Sequence, residues 1–131
     1  EENLEPLTRQ YGLGLTTFSP LKNGILTGKY NNGIPEGSRA KMENMGWMRD
    51  QITPETIDKV REFSKIAQTM DATPAQLAIA WVLRRKEVSS VITGASKVEQ
   101  LDDNLDAAML VEKMDEGILD RLDVIFNGNH D

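Results

Sequence analysis

The sequence predicts an α/β fold on a parallel sheet, and only part of such a fold. Short β-prone segments alternate with helical ones in the order strand, long loop, two helices, strand, helix, helix, and such alternation goes with parallel strands. One of the helices is apolar on a broad front, as a helix pressed onto a sheet would be. Only two strand segments are found, and two strands neither close a barrel nor make a stable open sheet. Their free edges are expected to pair with another chain or with more of the same protein.

Glu1 to Gln10 reads as the end of a helix or a surface segment. Leu13-Gly14-Leu15-Thr16-Thr17-Phe18 reads as the first strand, β-prone and bounded by Gly12 and Pro20. Ser19-Pro20-Leu21 ends it, because proline cannot donate to a sheet ladder. Lys22 to Asp50 carries turn signals, among them Asn31-Asn32-Gly33 and Pro35-Glu36-Gly37. A loop this long is usually functional or disordered, and Met42, Met45, Trp47 and Met48 predict partial packing.

Thr53-Pro54 opens a helix with an apolar stripe of Ile57, Val60, Phe63, Ile66, Ala67 and Met70. Thr73-Pro74-Ala75-Gln76 opens the next with a capping box. That helix runs to about Leu83, and its Leu77, Ile79, Ala80, Trp81 and Val82 are expected to be heavily buried. Val88-Ser89-Ser90-Val91-Ile92-Thr93 is the second strand, Gly94-Ala95 a tight exit, and Ser96-Lys97-Val98-Glu99 a second capping box. Val98, Leu101, Leu105 and Met109 fall at helical spacing after it, and Ile118, Leu119, Leu122, Ile125 and Phe126 mark a last helix.

Composition narrows the function classes. The 131 residues suit one domain, and 39% hydrophobic with 27% charged residues is ordinary for a globular chain. A net charge of -6 repels phosphate backbones, which argues against general nucleic-acid binding. A few placed donors can still hold one phosphate. There is no cysteine, so disulfide and thiolate chemistry are excluded, and the lack is compatible with the cytosol. The only histidine, His130, cannot make a histidine metal cluster. No run of ~18 apolar residues predicts a membrane span. The start, Glu1-Glu2-Asn3-Leu4, is unlike a signal peptide, and its lack of Met fits a processed or truncated chain.

Three groups of residues could carry a site. Phe18-Ser19-Pro20-Leu21 with Asn23-Gly24 follows the first strand, where parallel barrels place their sites, and the Phe18 ring could stack on a flat ligand. Gly94-Ala95-Ser96 feeds a helix start, which favours phosphate. Gln100, Asp103 and Asn104 lie further along one helix face, where they could read the polar groups of a base. Lys29 and Arg39 in the long loop could clamp a phosphate. Taken singly, each group fits a plainer reading better: a strand exit with Phe18 in the core, a capped helix with a polar face, two solvated cations. Arg84-Arg85-Lys86 reads as cations placed at a helix C-terminus. No general acid–base pair is visible, and catalysis by this chain alone is not indicated.

Taken together, the blocks resemble aldo-keto reductases of the voltage-gated potassium-channel β-subunit branch. They are Tyr11 to Leu21, Gly24-Ile25-Leu26-Thr27-Gly28-Lys29-Tyr30, Ser38-Arg39, Thr73 to Trp81, Val91 to Ser96 and Gln100-Leu101-Asp102-Asp103-Asn104. The resemblance covers nearly the whole chain. It implies the C-terminal part of a (β/α)₈ barrel, strands 7 and 8 with their covering helices, from which the strands bearing the family's catalytic Asp, Tyr, Lys and His are missing. It implies NADP(H) as cofactor. Phe18 would stack on the nicotinamide, and Ser19, Pro20, Leu21, Asn23 and Gly24 would line the pyrophosphate. Lys29 and Arg39 would grip phosphates. Gly94, Ser96, Gln100, Asp103 and Asn104 would hold the adenosine 2′-phosphate and adenine.

Three positions depart from the pattern. Ala95 and Gln100 stand where many reductases have Lys and Arg, which leaves more of the 2′-phosphate to Lys29 and Arg39. Phe18 stands where channel subunits generally have Trp. The resemblance implies a cytoplasmic parent enzyme that reduces aldehydes or ketones by hydride transfer, with the rest of the barrel as partner, no membrane insertion and an open oligomeric state. The alternatives are an NADPH-binding regulatory subunit of a potassium channel and a free-standing binding module.

Overall fold

The predicted alternation is realised. The computed structural model describes residues 4–128. Helix α1 (Glu5–Tyr11) leads into strand β1 (Leu15–Phe18), a short helix α2 (Gly46–Arg49), and helices α3 (Pro54–Thr69) and α4 (Pro74–Leu83). Strand β2 (Val88–Ile92) and helices α5 (Val98–Leu110) and α6 (Glu116–Asn127) follow. Residues 1–3 of the first predicted segment, and His130, lie outside the described residues. No described helix is long and apolar enough to cross a membrane.

Helix starts follow from side-chain oxygens that satisfy otherwise orphaned amides. Thr53 Oγ1 accepts from the Thr56 N–H at 3.1 Å. The predicted capping box at α4 is complete: Thr73 Oγ1 accepts from the Gln76 N–H at 3.1 Å, and Gln76 Oε1 accepts from the Thr73 N–H at 2.9 Å. Asp115 Oδ1 caps α6 at 2.9 Å. The second predicted capping box does not form. Lys97 is the N-cap of α5 and makes no side-chain cap bond. Gln100 takes over instead, because its Oε1 accepts from both the Ser96 N–H (2.8 Å) and the Ser96 hydroxyl (3.1 Å).

The two strands pair in parallel, Leu15 beside Val88, Thr16 beside Ser90, Thr17 beside Val91 and Phe18 beside Ile92. The first strand starts at Leu15 rather than Leu13 because the Leu13 N–H is taken by the Thr8 carbonyl at 2.9 Å, at the end of α1. The second ends at Ile92, one residue short of the prediction.

The core is helical. Phe63, Ile66 and Ala67 of α3, Leu77, Ala78 and Ala80 of α4, Leu110 of α5 and Leu122 of α6 are buried against one another, and each large apolar side chain contributes about 1.5–3 kcal/mol by leaving water. Phe126 meets Phe63 edge-on, ring centroids 5.8 Å apart. No residue of either strand is fully buried.

One burial expectation is corrected. Trp81 is 38% exposed, lying beneath the Arg84 guanidinium 4.0 Å from its ring. The Val98, Leu101, Leu105, Met109 stripe of α5 is exposed. Helix α5 packs on α4 through its other face, where Asn104, Ala107 and Leu110 are buried.

The long loop is not structureless. It folds as 3₁₀ turns over Lys22–Thr27 and Arg39–Lys41 and as α2. Ile25, Tyr30, Ala40 and Met48 are buried with Val60 of α3 in a second apolar cluster. Arg49 Nη1 donates to the carbonyls of Ala40 (2.8 Å) and Met42 (3.0 Å), and Arg61 Nη2 donates to the Asn31 carbonyl (2.7 Å). Met48 and Met45 supply the predicted packing, while Met42 and Trp47 stay exposed.

Candidate functional site

Register fixes where the site lies. Phe18 and Ile92 are ladder partners, so the chain leaves both strands at the same end of the sheet, the C-terminal end. The Phe18 ring is 80% exposed there. It does not enter the core of this chain, and its aromatic face is free to stack.

The exit from β1 is strained. Ser19 (φ 55), Lys22 (φ 46) and Asn23 (φ 57) all lie in the left-handed region, followed by Gly24 (φ 88). Asparagine tolerates that region, while Ser19 and Lys22 there each cost about 1–2 kcal/mol. Asp71 is the one other described non-glycine residue there, so the strain is concentrated at the strand exit, a pattern that goes with ligand-gripping loops. The turn closes through backbone bonds from the Lys22 N–H to the Ser19 carbonyl (3.0 Å) and from the Gly24 N–H to the Leu21 carbonyl (2.9 Å). Pro20 and Leu21 sit half-buried inside it.

Two cations converge on this turn from elsewhere in the loop. Arg39 Nη1 donates to Asn23 Oδ1 at 3.2 Å. The Lys29 ammonium lies 2.7 Å from where a β-carbon on Gly24 would stand, and 5.1 Å from the Tyr30 ring centroid. The neighbours Tyr30 and Ala40 are buried anchors, so Lys29 and Arg39 project from fixed points. Ser38, just before Arg39, buries its Oγ without a hydrogen-bond partner. Two cations, an orphaned hydroxyl and a glycine cradle make a donor set that fits a phosphorylated ligand.

The second predicted group divides. Gly94 is exposed, with open space where a side chain would be. Ser96 and Gln100 are exposed and bonded to each other. Asp103 Oδ2 accepts from the Thr73 hydroxyl at 3.0 Å, and Asn104 is only 8% exposed. One helix face thus bears a self-bonded pair, a carboxylate held from α4 and a buried amide. The phosphate and base readings for this group are therefore narrower than an open polar face would allow.

The opposite end of the strands is built differently. Two cavities open there, of about 240 and 770 Å³. Leu15, Trp81 and Val88 line the first, Gly12, Lys86 and Ser89 the second. None of the predicted site residues lines either one. Between them Arg9 donates to the buried Glu87 carboxylate. That bond, with Glu87's own backbone amide, holds the carboxyl below its ordinary value of 4.5. Arg85 pairs with Glu5 at 3.1 Å. These pairs fasten α1 to the start of β2 and offer no free donor set. Sequence reading missed the Arg9–Glu87 pair, since nothing local links residues that far apart.

Comparison with known proteins agrees with this architecture. Residues 1–124 match the sequence profile described as the aldo/keto reductase family. The chain belongs to the aldo/keto reductase family. The family resemblance read from the motifs is therefore correct, and the parent fold of the family is the (β/α)₈ barrel, of which two adjacent parallel strands and their helices are visible here. A protein of Schizosaccharomyces pombe (strain 972 / ATCC 24843), named as a candidate voltage-gated potassium channel subunit beta, is 48% identical over 130 residues. That match takes in 97% of this chain and 38% of the relative, so the chain spans well under half the relative's length.

Proposed function

We propose that this chain is the cofactor-holding portion of an NADP(H)-dependent aldo/keto reductase, corresponding to strands 7 and 8 of the barrel. The observation that carries the reading is the meeting of Lys29 and Arg39 on the Asn23–Gly24 turn at the exit of β1. When bound, the cofactor supplies the hydride that reduces an aldehyde or ketone. The protein's part here is grip and placement. Phe18 offers a ring for the nicotinamide face, and the Ser19–Gly24 turn lies along the diphosphate. Lys29 and Arg39 neutralise phosphate charge, with Arg39 directed to the 2′-phosphate. Gly94, Ser96, Gln100, Asp103 and Asn104 hold the adenosine end. The proton-transfer residues belong to strands outside this segment, and the unburied state of β1 and β2 supports their completion by neighbouring strands. On this reading the protein is cytoplasmic.

The test is a cofactor titration of the full-length protein. Arg39→Ala is expected to weaken NADPH binding by about tenfold or more, the scale of a lost charge-assisted hydrogen bond, while NADH binding changes little. Equal losses for both nucleotides would remove the 2′-phosphate role from Arg39.

A second reading is a regulatory channel subunit that binds the same cofactor. The name of the S. pombe relative favours it, while Phe18 in place of the branch's usual Trp weighs against it. Turnover of simple aldehydes supports the enzyme, and co-purification with a membrane channel without turnover supports the subunit.

A further inference from the structure

The adenosine half of the site rests on Asp103, and Asp103 does not stand alone. Its Oδ2 accepts from the Thr73 hydroxyl at 3.0 Å, across 30 residues of chain. That hydroxyl is committed on its other side as well, since Thr73 Oγ1 accepts from the Gln76 N–H at 3.1 Å. The reciprocal bond from the Thr73 N–H to Gln76 Oε1 at 2.9 Å completes the capping box. A threonine hydroxyl has one hydrogen. The cap occupies a lone pair and the carboxylate takes the hydrogen, so the Thr73 rotamer is set from both sides.

The platform is rigid too. Helix α4 is buried at Leu77, Ala78, Ile79 and Ala80, and α5 lies on it with Asn104, Ala107 and Leu110 buried.

We infer that Thr73 is a positioning residue for nucleotide recognition: its hydroxyl, oriented by the α4 capping box, fixes the Asp103 carboxylate so that the second oxygen is presented to the exocyclic amino group of the base. This rests on the reading of Asp103 as an adenosine contact. A carboxylate on a surface helix otherwise samples several rotamers, and ordering it costs binding free energy. Thr73 removes that cost before the ligand arrives. The N-cap at α4 thus serves two ends, helix initiation and ligand readout.

The experiment separates these two ends. Thr73→Asp keeps a good N-cap acceptor but cannot donate to Asp103 and repels it. Thr73→Gly leaves a residue tolerated at N-caps and removes the donor without adding charge. Thr73→Ser keeps cap and donor. Binding to the full-length protein is titrated with two probes, NADPH and reduced nicotinamide mononucleotide, which lacks the adenosine half. Thr73→Asp and Thr73→Gly are each expected to weaken NADPH by about fivefold, the scale of one hydrogen bond, with the mononucleotide unchanged and Thr73→Ser at the parent value. In an Asp103→Ala background the Thr73→Gly loss is expected to vanish, because the two act as one unit.

Equal loss of both probes would reduce Thr73 to a structural cap and overturn the inference. So would a full Thr73→Gly loss in the Asp103→Ala background. If Asp103→Ala weakens NADPH while both Thr73 variants bind normally, the inference fails and the cofactor assignment survives. If Asp103→Ala has no effect, the role of Asp103 and the inference fall together.

Discussion

Replacing Gly24 with alanine tests whether the Lys29 cradle is functional or incidental. Gly24 has φ 88, so an alanine there pays about 1–2 kcal/mol of backbone strain. The new β-carbon would meet Lys29 Nζ at 2.7 Å and Cε at 2.8 Å. These are the far end of a flexible side chain, so the ammonium swings away and folding loses little beyond the strain. Binding loses one charge-assisted contact, worth about 1.5–3 kcal/mol, or about tenfold to a hundredfold in Kd. Gly28→Ala is the matched control. Its φ is 78, and its β-carbon would meet Asn31 Nδ2 at 3.2 Å and Ser64 Oγ at 3.4 Å, leaving Lys29 in place. Both variants are expected to lower the thermal unfolding midpoint of the full-length protein by similar amounts. Only Gly24→Ala is expected to weaken NADPH by tenfold or more in a fluorescence titration. Equal NADPH losses in the two variants would refute the cradle and assign both to backbone strain.

Two further expectations concern stability. The Glu87 carboxyl is held below its ordinary value of 4.5, first by the Arg9 hydrogen bond. Its contribution is therefore fully present above that value and lost as pH falls through the lower folded-state value. Acid unfolding followed by circular dichroism should steepen below pH 4.5, and Glu87→Gln should be weaker at neutral pH yet lose less on acidification. Parallel acid profiles for the two proteins would dissociate the pair from acid stability. The exposed α5 stripe gives the second expectation. If neighbouring strands and helices complete the barrel, Leu105 is covered in the full-length protein, and Leu105→Asp should cost about 2 kcal/mol or more in a denaturant melt. A change under about 0.5 kcal/mol would mean that this face remains in water.

Local features carried the sequence reading well. Thr53, Thr73 and the prolines after them marked two helix starts because a cap is decided within four residues. Strand ends were off by one or two residues, since the Thr8 carbonyl captured the Leu13 amide and no pattern within the strand announces that. At α5 the same short-range logic failed. Ser96 and Glu99 had the right spacing for a capping box, but Gln100, one residue on, reached Ser96 first. The α5 spacing correctly marked a helix, but periodicity alone does not say which face packs, and here Ala107 and Leu110 are buried on the face opposite the stripe. Of the candidate site, the strand end that carries it was legible. The meeting of Lys29, Arg39, Asn23 and Gly24 was not. It depends on Ile25, Tyr30, Ala40 and Met48 folding the loop onto Val60, a contact set with no linear signature.

The parallel ladder has a consequence for the order in which the molecule is made. Thr17 and Ser90 are joined across 73 residues, and closing a loop of that length costs entropy before any ladder bond forms. Helices α3, α4 and α6 begin at caps three residues away, and such local structure forms on the microsecond scale. The long-range ladder is therefore expected to close after the local helix starts have formed. Until then the aromatic ring, the two cations and the Thr73-held carboxylate belong to separate stretches of a searching chain. If the strand exits bind the nucleotide as proposed, its affinity rises only with ladder closure, and a cofactor titration during refolding of the full-length protein acts as a clock for that step.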